Sequence, residues 1–305
     1  MSEGAGHPES RNGTDAEPVL QLDSFEVQVA PITAQSRPFL HELTVSVLWP
    51  HRHSDLDFLI RQGRGYVALD EIGRPVGSAM HFPMGEDFAL LGMMVTPPRL
   101  QARGGGRFLL RTILRDCAGR DLRLNATRSG YRLYREEGFI DVGKVWQHQG
   151  MVGDVPATEP LAGIEIREIT PEDHTAIATM DAHAFGADRS PILAALMEAG
   201  RGLIAYRAGR PCGFALVRAF GKGQVLGPLV AEDERLAIAL TARALGGMRG
   251  LFVRMDTPCQ GTDLRAFLTA AGMVQFDTVT EMRIGPQRRA EAGIVTFALA
   301  AHSLG

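Results

Sequence analysis

A six-residue turn that occurs twice constrains this chain more than any other feature. Ile72-Gly73-Arg74-Pro75-Val76-Gly77 and Ala208-Gly209-Arg210-Pro211-Cys212-Gly213 differ at only two positions. Each copy separates two apolar runs, 65–71 from 76–82 and 202–207 from 212–218. A Gly/Pro turn between alternating runs closes an antiparallel hairpin. The echo continues downstream, where one helical stretch closes on Glu137-Gly138-Phe139 and another on Ala271-Gly272-Met273-Val274. Solenoids repeat at much shorter periods, so one supersecondary unit has been used twice. At 305 residues the chain also exceeds most single cores. The expected architecture is two mixed α/β domains, each a central, mostly antiparallel sheet flanked by helices.

The order of elements supports that division. The first copy runs as a strand at 24–33, a helix at 38–49 and the hairpin. A third apolar run at 87–95, a helix at 108–118, a strand at 121–127, a short helix at 130–137 and a strand at 140–147 follow. The second copy reads as a strand at 164–169 and a helix capped by Thr170, with Pro171 at its first position and Asp173 in the box position. The repeated hairpin comes next, then an apolar run at 225–230, a helix at 231–245, a strand at 251–256, a helix at 263–271 and a strand at 274–284. Between the copies, Gly150, Gly153, Pro156 and Pro160 interrupt any periodic pattern, as in a linker. The expected division is a disordered tail at 1–22, a first domain at 23–150, a linker at 151–162 and a second domain at 163–305. The apolar tail at 290–305 packs back on the body as a strand, a helix or an interface.

Composition excludes several classes of function. A net charge of −3 argues against a nucleic-acid binder, which carries a basic excess. No apolar run reaches the roughly 20 residues needed to span a bilayer, and the N-terminus lacks the basic and apolar regions of a secretory signal. Cys117, Cys212 and Cys259 are far apart and odd in number, which favours small core residues over a disulfide frame or zinc site. A cytoplasmic protein without a metal is expected. His51, His53, Asp55 and Asp57 alternate like ligands, but the segment leads into a helix, where that spacing does not converge.

Residues 91–107 carry the chemistry. They read as a strand, a loop with three successive glycines (Gly104, Gly105 and Gly106) and a helix start. Backbone N–H groups at a helix N-terminus bind anions, and glycine lets a phosphate approach closely. A pyrophosphate-bearing ligand fits such a loop. The Gly-Lys-Ser/Thr of a P-loop and the G-x-G-x-x-G of a dinucleotide site are both missing.

Gln101-Ala102-Arg103-Gly104-Gly105-Gly106 resembles the cofactor motif Gln/Arg-x-x-Gly-x-Gly/Ala of the GCN5-related N-acetyltransferases. A strand ending at Val95 precedes it, and Leu133-Tyr134-Arg135-Glu136-Glu137-Gly138-Phe139 follows where the family has Leu-Tyr-x-x-x-Gly-Phe. The resemblance implies acetyl-CoA as cosubstrate. Backbone amides of Gln101, Ala102, Arg103, Gly104, Gly105, Gly106 and Arg107 would hold its pyrophosphate. Met93, Met94 and Val95 would pair with the pantetheine arm, and an N–H near Val95 would polarise the thioester carbonyl. Tyr134 stands where many members keep the general acid for the leaving thiolate. The expected reaction is acetyl transfer to a primary amine, whose proton must first be removed. Overall acidity and the enclosed cleft of a tandem fold favour a small-molecule acceptor. The rival reading is a non-catalytic acyl-CoA sensor or scaffold.

The second copy departs from the motif. It has Glu232, Asp233 and Glu234 where the glycine loop stood, and acids there repel phosphates. That copy is expected to buttress the first and shape the acceptor cleft, with Arg254, Asp256 and Glu281 as candidates to face it. His81, Glu86 and Asp87 are candidates for the general base.

Overall fold

The computed structural model describes residues 19–22, 25–101 and 104–305. The first copy contains β1 (Val19–Leu22), β2 (Phe25–Pro31), α1 (Arg37–Ser46), α2 (His53–Gln62), β3 (Arg64–Asp70), β4 (Pro75–Met84) and β5 (Phe88–Val95). It continues through α3 (Gly105–Asp116), β6 (Asp121–Ala126), α4 (Tyr131–Glu136) and β7 (Ile140–Met151). The second contains β8 (Ile164–Glu168), α5 (His174–Phe185), α6 (Ser190–Glu198), β9 (Gly200–Arg207), β10 (Arg210–Phe220) and β11 (Gly223–Ala231). After these come α7 (Glu234–Leu245), β12 (Phe252–Thr257), α8 (Asp263–Ala270), β13 (Val274–Ile284) and β14 (Val295–Ala298). Both expected hairpins form, β3–β4 and β9–β10. Asp70 caps the first turn by accepting from the backbone N–H of Ile72 and Arg74. In the second turn Ala208 and Gly209 both take the left-handed backbone.

The two copies share one sheet of 14 strands, ordered β1-β2-β3-β4-β5-β6-β13-β7-β12-β11-β10-β9-β8, with β14 paired to β11. Its centre is an exchange. β13, from the second copy, lies antiparallel to β6 of the first, with Thr280 opposite Ala126. β7, from the first copy, lies antiparallel to β12 of the second, with Asp256 opposite Gln147. These two strands then pair with each other through Val279 and Val145. The division expected at residue 150 therefore separates the chain but not the sheet. A strand end left open would expose unpaired N–H and C=O groups, and each copy closes the other's.

At the N-terminus, Val19–Leu22 pairs antiparallel with β2 inside the segment expected to be a tail, while 1–18 lie outside the described residues. Residues 152–163 carry no regular element, but Val152 and Gly153 bond to Leu251 and Ala271 of the second copy. One of the two largest core clusters among the described residues also joins the copies, packing Leu56, Phe82, Phe88 and Leu90 with Met180, Phe185, Leu193 and Phe214. Among the described residues no helix is long and apolar enough to cross a membrane.

Candidate active site

The site begins where two parallel strands part. β5 pairs with β6 from Phe88 opposite Asp121 to Leu91 opposite Leu124, and pairing stops there. On its other edge β5 carries a bulge, because Ser78 faces Val95 while Met80 faces Gly92. Met93 takes the left-handed backbone at φ 50°, and its carbonyl accepts a 2.8 Å bond from the Ser78 hydroxyl. Bulges re-aim groups beside functional sites. Leu91, Gly92, Met93 and Met94 thus line a cavity of about 180 Å³ between the copies. Val95 lies beyond it, packed with Leu43 and Val67.

The glycine loop leads into α3. Gly104 is its N-cap at φ 91°, a backbone that side chains with a Cβ rarely adopt, and its carbonyl accepts from Phe108 N–H. The first N–H groups of any helix have no partner within it, so those of Gly105, Gly106 and Arg107 are available to an anion. Gln101 donates through its side chain to the Thr96 carbonyl, and Ala102 and Arg103 lie outside the described residues. Arg107 pairs with Glu136 at the end of α4 and with Glu137, its C-cap, which ties the loop helix to the Tyr134 helix. Gly104 and Arg107 line a separate recess with Phe108, Arg111, Leu114 and Arg115.

Tyr134 lines the cavity, and its ring meets Phe139 edge-on at 5.8 Å. Burial pushes its hydroxyl well above the ordinary tyrosine value. Opposite it are groups of the second copy. Arg254 and Asp256 pair at 2.8 Å, and His302 Nε2 lies 3.4 Å from the same carboxylate. Burial raises the Asp256 carboxyl, but Arg254 and His302 outweigh it and hold it below the usual carboxylate range. The His302 backbone is fixed by Asn125 of the first copy, whose side chain donates to its carbonyl at 2.9 Å. His51 also lines the cavity; burial, with Arg254 and Arg218 nearby, lowers it to about 4 and keeps its ring neutral.

The corresponding place in the second copy is closed. β11 and β12 pair in parallel only at Gln224 opposite Val253 and Val225 opposite Arg254. β14 then enters the gap, pairing antiparallel with β11 at Leu229 to Ala298 and Val230 to Thr296, and Leu299 N–H bonds to the Asp256 carbonyl. The acids at the start of α7 are also engaged. Asp233 accepts from Leu236 N–H at 2.8 Å, capping its own helix, and Glu234 accepts from Leu264 N–H at 2.9 Å in the first turn of α8. Glu232 pairs with Arg207. Counting back four residues from the closing glycine, Tyr134 before Gly138 corresponds to Leu268 before Gly272, a fully buried side chain with no hydroxyl.

Arg254 and Asp256, expected to face the cleft, line the cavity, whereas Glu281 does not. Glu281 is buried between Arg289 at 2.8 Å and Arg123 at 4.0 Å. Its strand is the exchanged β13, which places it beside β6 of the first copy. Of the base candidates, His81 is buried within β4, Glu86 is exposed and Asp87 pairs with Arg288. The alternating cluster separates too: His51 and Asp55 line the cavity, His53 packs on His41, and Asp57 pairs with Arg37. Cys117 and Cys212 are buried, with thiols pushed up to about 11 by burial. His302 and Arg218 had no local signal, because both gain their surroundings from strands distant in sequence.

A model of the acetyltransferase (GNAT) family matches residues 33–139, and an acetyltransferase (GNAT) domain model matches residues 177–295. An uncharacterized N-acetyltransferase of Bacillus subtilis, YitH, is 27% identical over 250 residues, spanning 78% of this chain and 87% of its own length. Among solved structures, a candidate acetyltransferase from Pyrococcus horikoshii has a TM-score of 0.76 at 21% identity, over 98% of this chain and 100% of that one. A tandem GNAT protein from the clavulanic acid biosynthesis pathway has 0.60 at 16% identity, over 86% and 99%. At such identities the structural likeness is one of fold. With two family matches in one chain, the protein is an acyltransferase of the GCN5-related N-acetyltransferase family, a tandem member with two GNAT domains.

Proposed function

We propose that the protein moves an acetyl group from acetyl-CoA to a primary amine of a small molecule by direct attack on the thioester. One observation carries the reading: the slot beside β5 is open at Met93 and Met94, while its counterpart beside β11 is filled by β14. Gly105, Gly106 and Arg107 would hold the pyrophosphate through their N–H groups, with Gln101, Ala102, Arg103 and Gly104 completing the loop. The free edge of β5 at Met93, Met94 and Val95 would pair with the pantetheine arm and bring the thioester to the cavity. The cavity volume, about 180 Å³ enclosed by both copies, suits a small acceptor.

In the reaction a C–N bond forms as the C–S bond breaks. The amine proton passes to a base, and the departing thiolate takes a proton. Tyr134 is the proposed acid, since it lines the cavity and a tyrosine hydroxyl carries its proton at neutral pH. His302 is the proposed base: Asp256 lies beside its Nε2 and orients the ring, and its Nδ1 makes no hydrogen bond among the described residues. The three free thiols fit a reducing compartment, and the cytoplasm is the proposed one. Incubation with acetyl-CoA and a panel of amines, following free thiol, tests the transfer. Tight CoA binding with turnover on no amine would instead establish the sensor reading.

A further inference from the structure

A buried cation in the acceptor cavity lacks a counter-ion. Arg218 on β10 is only 6% exposed, yet it lines the cavity between the copies. Its guanidinium lies 5.1 Å from the Phe220 ring and 5.7 Å from the Phe58 ring, and so reaches from the second copy to the first. One Nη donates to the Ala300 carbonyl at 3.0 Å, the other makes a long 3.5 Å contact to the Ala219 carbonyl, and Nε is buried without a partner. Among the described residues no carboxylate comes within 4.0 Å of this group.

The nearby acids are already committed. Asp55 accepts from Arg52 N–H at 2.8 Å, from Gly221 N–H at 2.9 Å and from the Arg52 guanidinium at 3.2 Å. Asp256 is held by Arg254 and lies beside His302. A charge taken out of water is unfavourable unless paired, and among the described residues the buried Arg218 has no pair. Lys222, exposed at the cavity rim, adds to the positive character of that side. An unfilled Nε–H beside Nη hydrogens forms the planar fork that receives a carboxylate.

We infer that Arg218 receives a carboxylate of the acceptor, so that the acceptor is an amino acid or a similar small amine bearing a carboxylate. This rests on the reading of the cavity as the acceptor site. His51, with a neutral ring and an unpartnered buried Nδ1, lines the same cavity and can bond to the polar part of such a molecule. The tail bounds the space, since a Cβ at Gly92 would lie 2.5 Å from the Ser303 side chain.

Matched acceptors test the inference: an amino acid, its carboxamide and the amine without the carboxyl group, each assayed with acetyl-CoA by thiol release. The acid is expected to be preferred by at least about tenfold in kcat/KM, the value of one charge-assisted contact. Arg218→Gln should bring that ratio towards one through the KM of the acid, and Arg218→Lys should restore part of it. CoA binding and thermal unfolding report whether each variant folds; if Arg218→Gln does not, the ratio in the unaltered enzyme decides. Equal rates for acid and carboxamide, or a preference for a phosphorylated amine, overturn the assignment while acetyl transfer stands. Turnover on no amine removes the transfer reading, and calorimetry of the acid and its carboxamide on the CoA-loaded protein then decides the role of Arg218.

Discussion

In the first copy, β5 and β6 part after Leu91 and Leu124, and the gap opens on a cavity. In the second, β11 and β12 part in the same way, but the chain's own β14 lies in the gap. The same contrast holds at the following helix. α3 starts from Gly104 with bare N–H groups, whereas α7 starts from Asp233, whose carboxylate already accepts one. The fold therefore parts a pair of parallel strands twice, each time just before a helix. In the second copy that gap is filled by a strand, and the helix start by a carboxylate. Filling has a consequence for the first copy, because the segment leaving β14 carries His302 and Ser303 to the open cavity.

Four experiments can break or sharpen this contrast. The largest effect is expected at the pair Tyr134 and Leu268. Tyr134→Phe should lower kcat by roughly 10²- to 10⁴-fold, the usual weight of a general acid, with CoA affinity retained in equilibrium binding. An unchanged kcat would place the acid elsewhere. Next, Gly104→Val forces a β-branched residue into a left-handed cap and should weaken CoA binding by about 100-fold. Calorimetry on Asp233→Ala should show no such loss, and a loss there would mean that the second copy also binds CoA.

The third experiment concerns the meeting of the copies. Folding lowers His51 from 6.5 to about 4, so between those values the unfolded chain binds a proton that the folded one does not. The His51 contribution is thus complete above pH 6.5 and is lost as pH falls towards 4, amounting to up to about 3 kcal/mol. His51→Asn should flatten that part of the stability profile measured by denaturant unfolding; an unaltered slope would show that burial at the meeting of the copies does not hold the His51 ring neutral. The smallest effect is the cap itself. Asp233→Ala should lower stability by about 1 kcal/mol, read as a shift in denaturation midpoint, while Gln101→Ala on the exposed loop of the first copy should leave the midpoint in place.

Local features of the fold were legible because their causes are local. The repeated Gly-Arg-Pro turn, Gly104 at the start of α3 and the closing Gly138 and Gly272 each impose a backbone conformation through neighbouring residues, although α3 begins at Gly105, three residues before the helix expected from 108. The same applies to the family resemblance, carried by residues 101–106 and 133–139. Glu281 shows the limit. Its strand was recognised, but its neighbours depend on which sheet that strand joins, and β13 joins β6. His302 and Arg218 were missed for the same reason, since partners such as Asp256, Asn125 and Ala300 lie far away along the chain.

By itself, the sequence determined that one α/β unit occurs twice, that one copy keeps a glycine loop before its helix and that the other replaces it with acids. Turn chemistry, helix capping and charge at a helix end act over a few residues, and so can be read from order alone. Only the tertiary structure decided that β7 and β13 cross between the copies, that β14 closes the second slot, and that an unpaired Arg218 faces the cavity. Strand pairing joins residues through backbone hydrogen bonds that carry no mark of sequence distance, so the partner of a strand edge is settled by which chain segment reaches it.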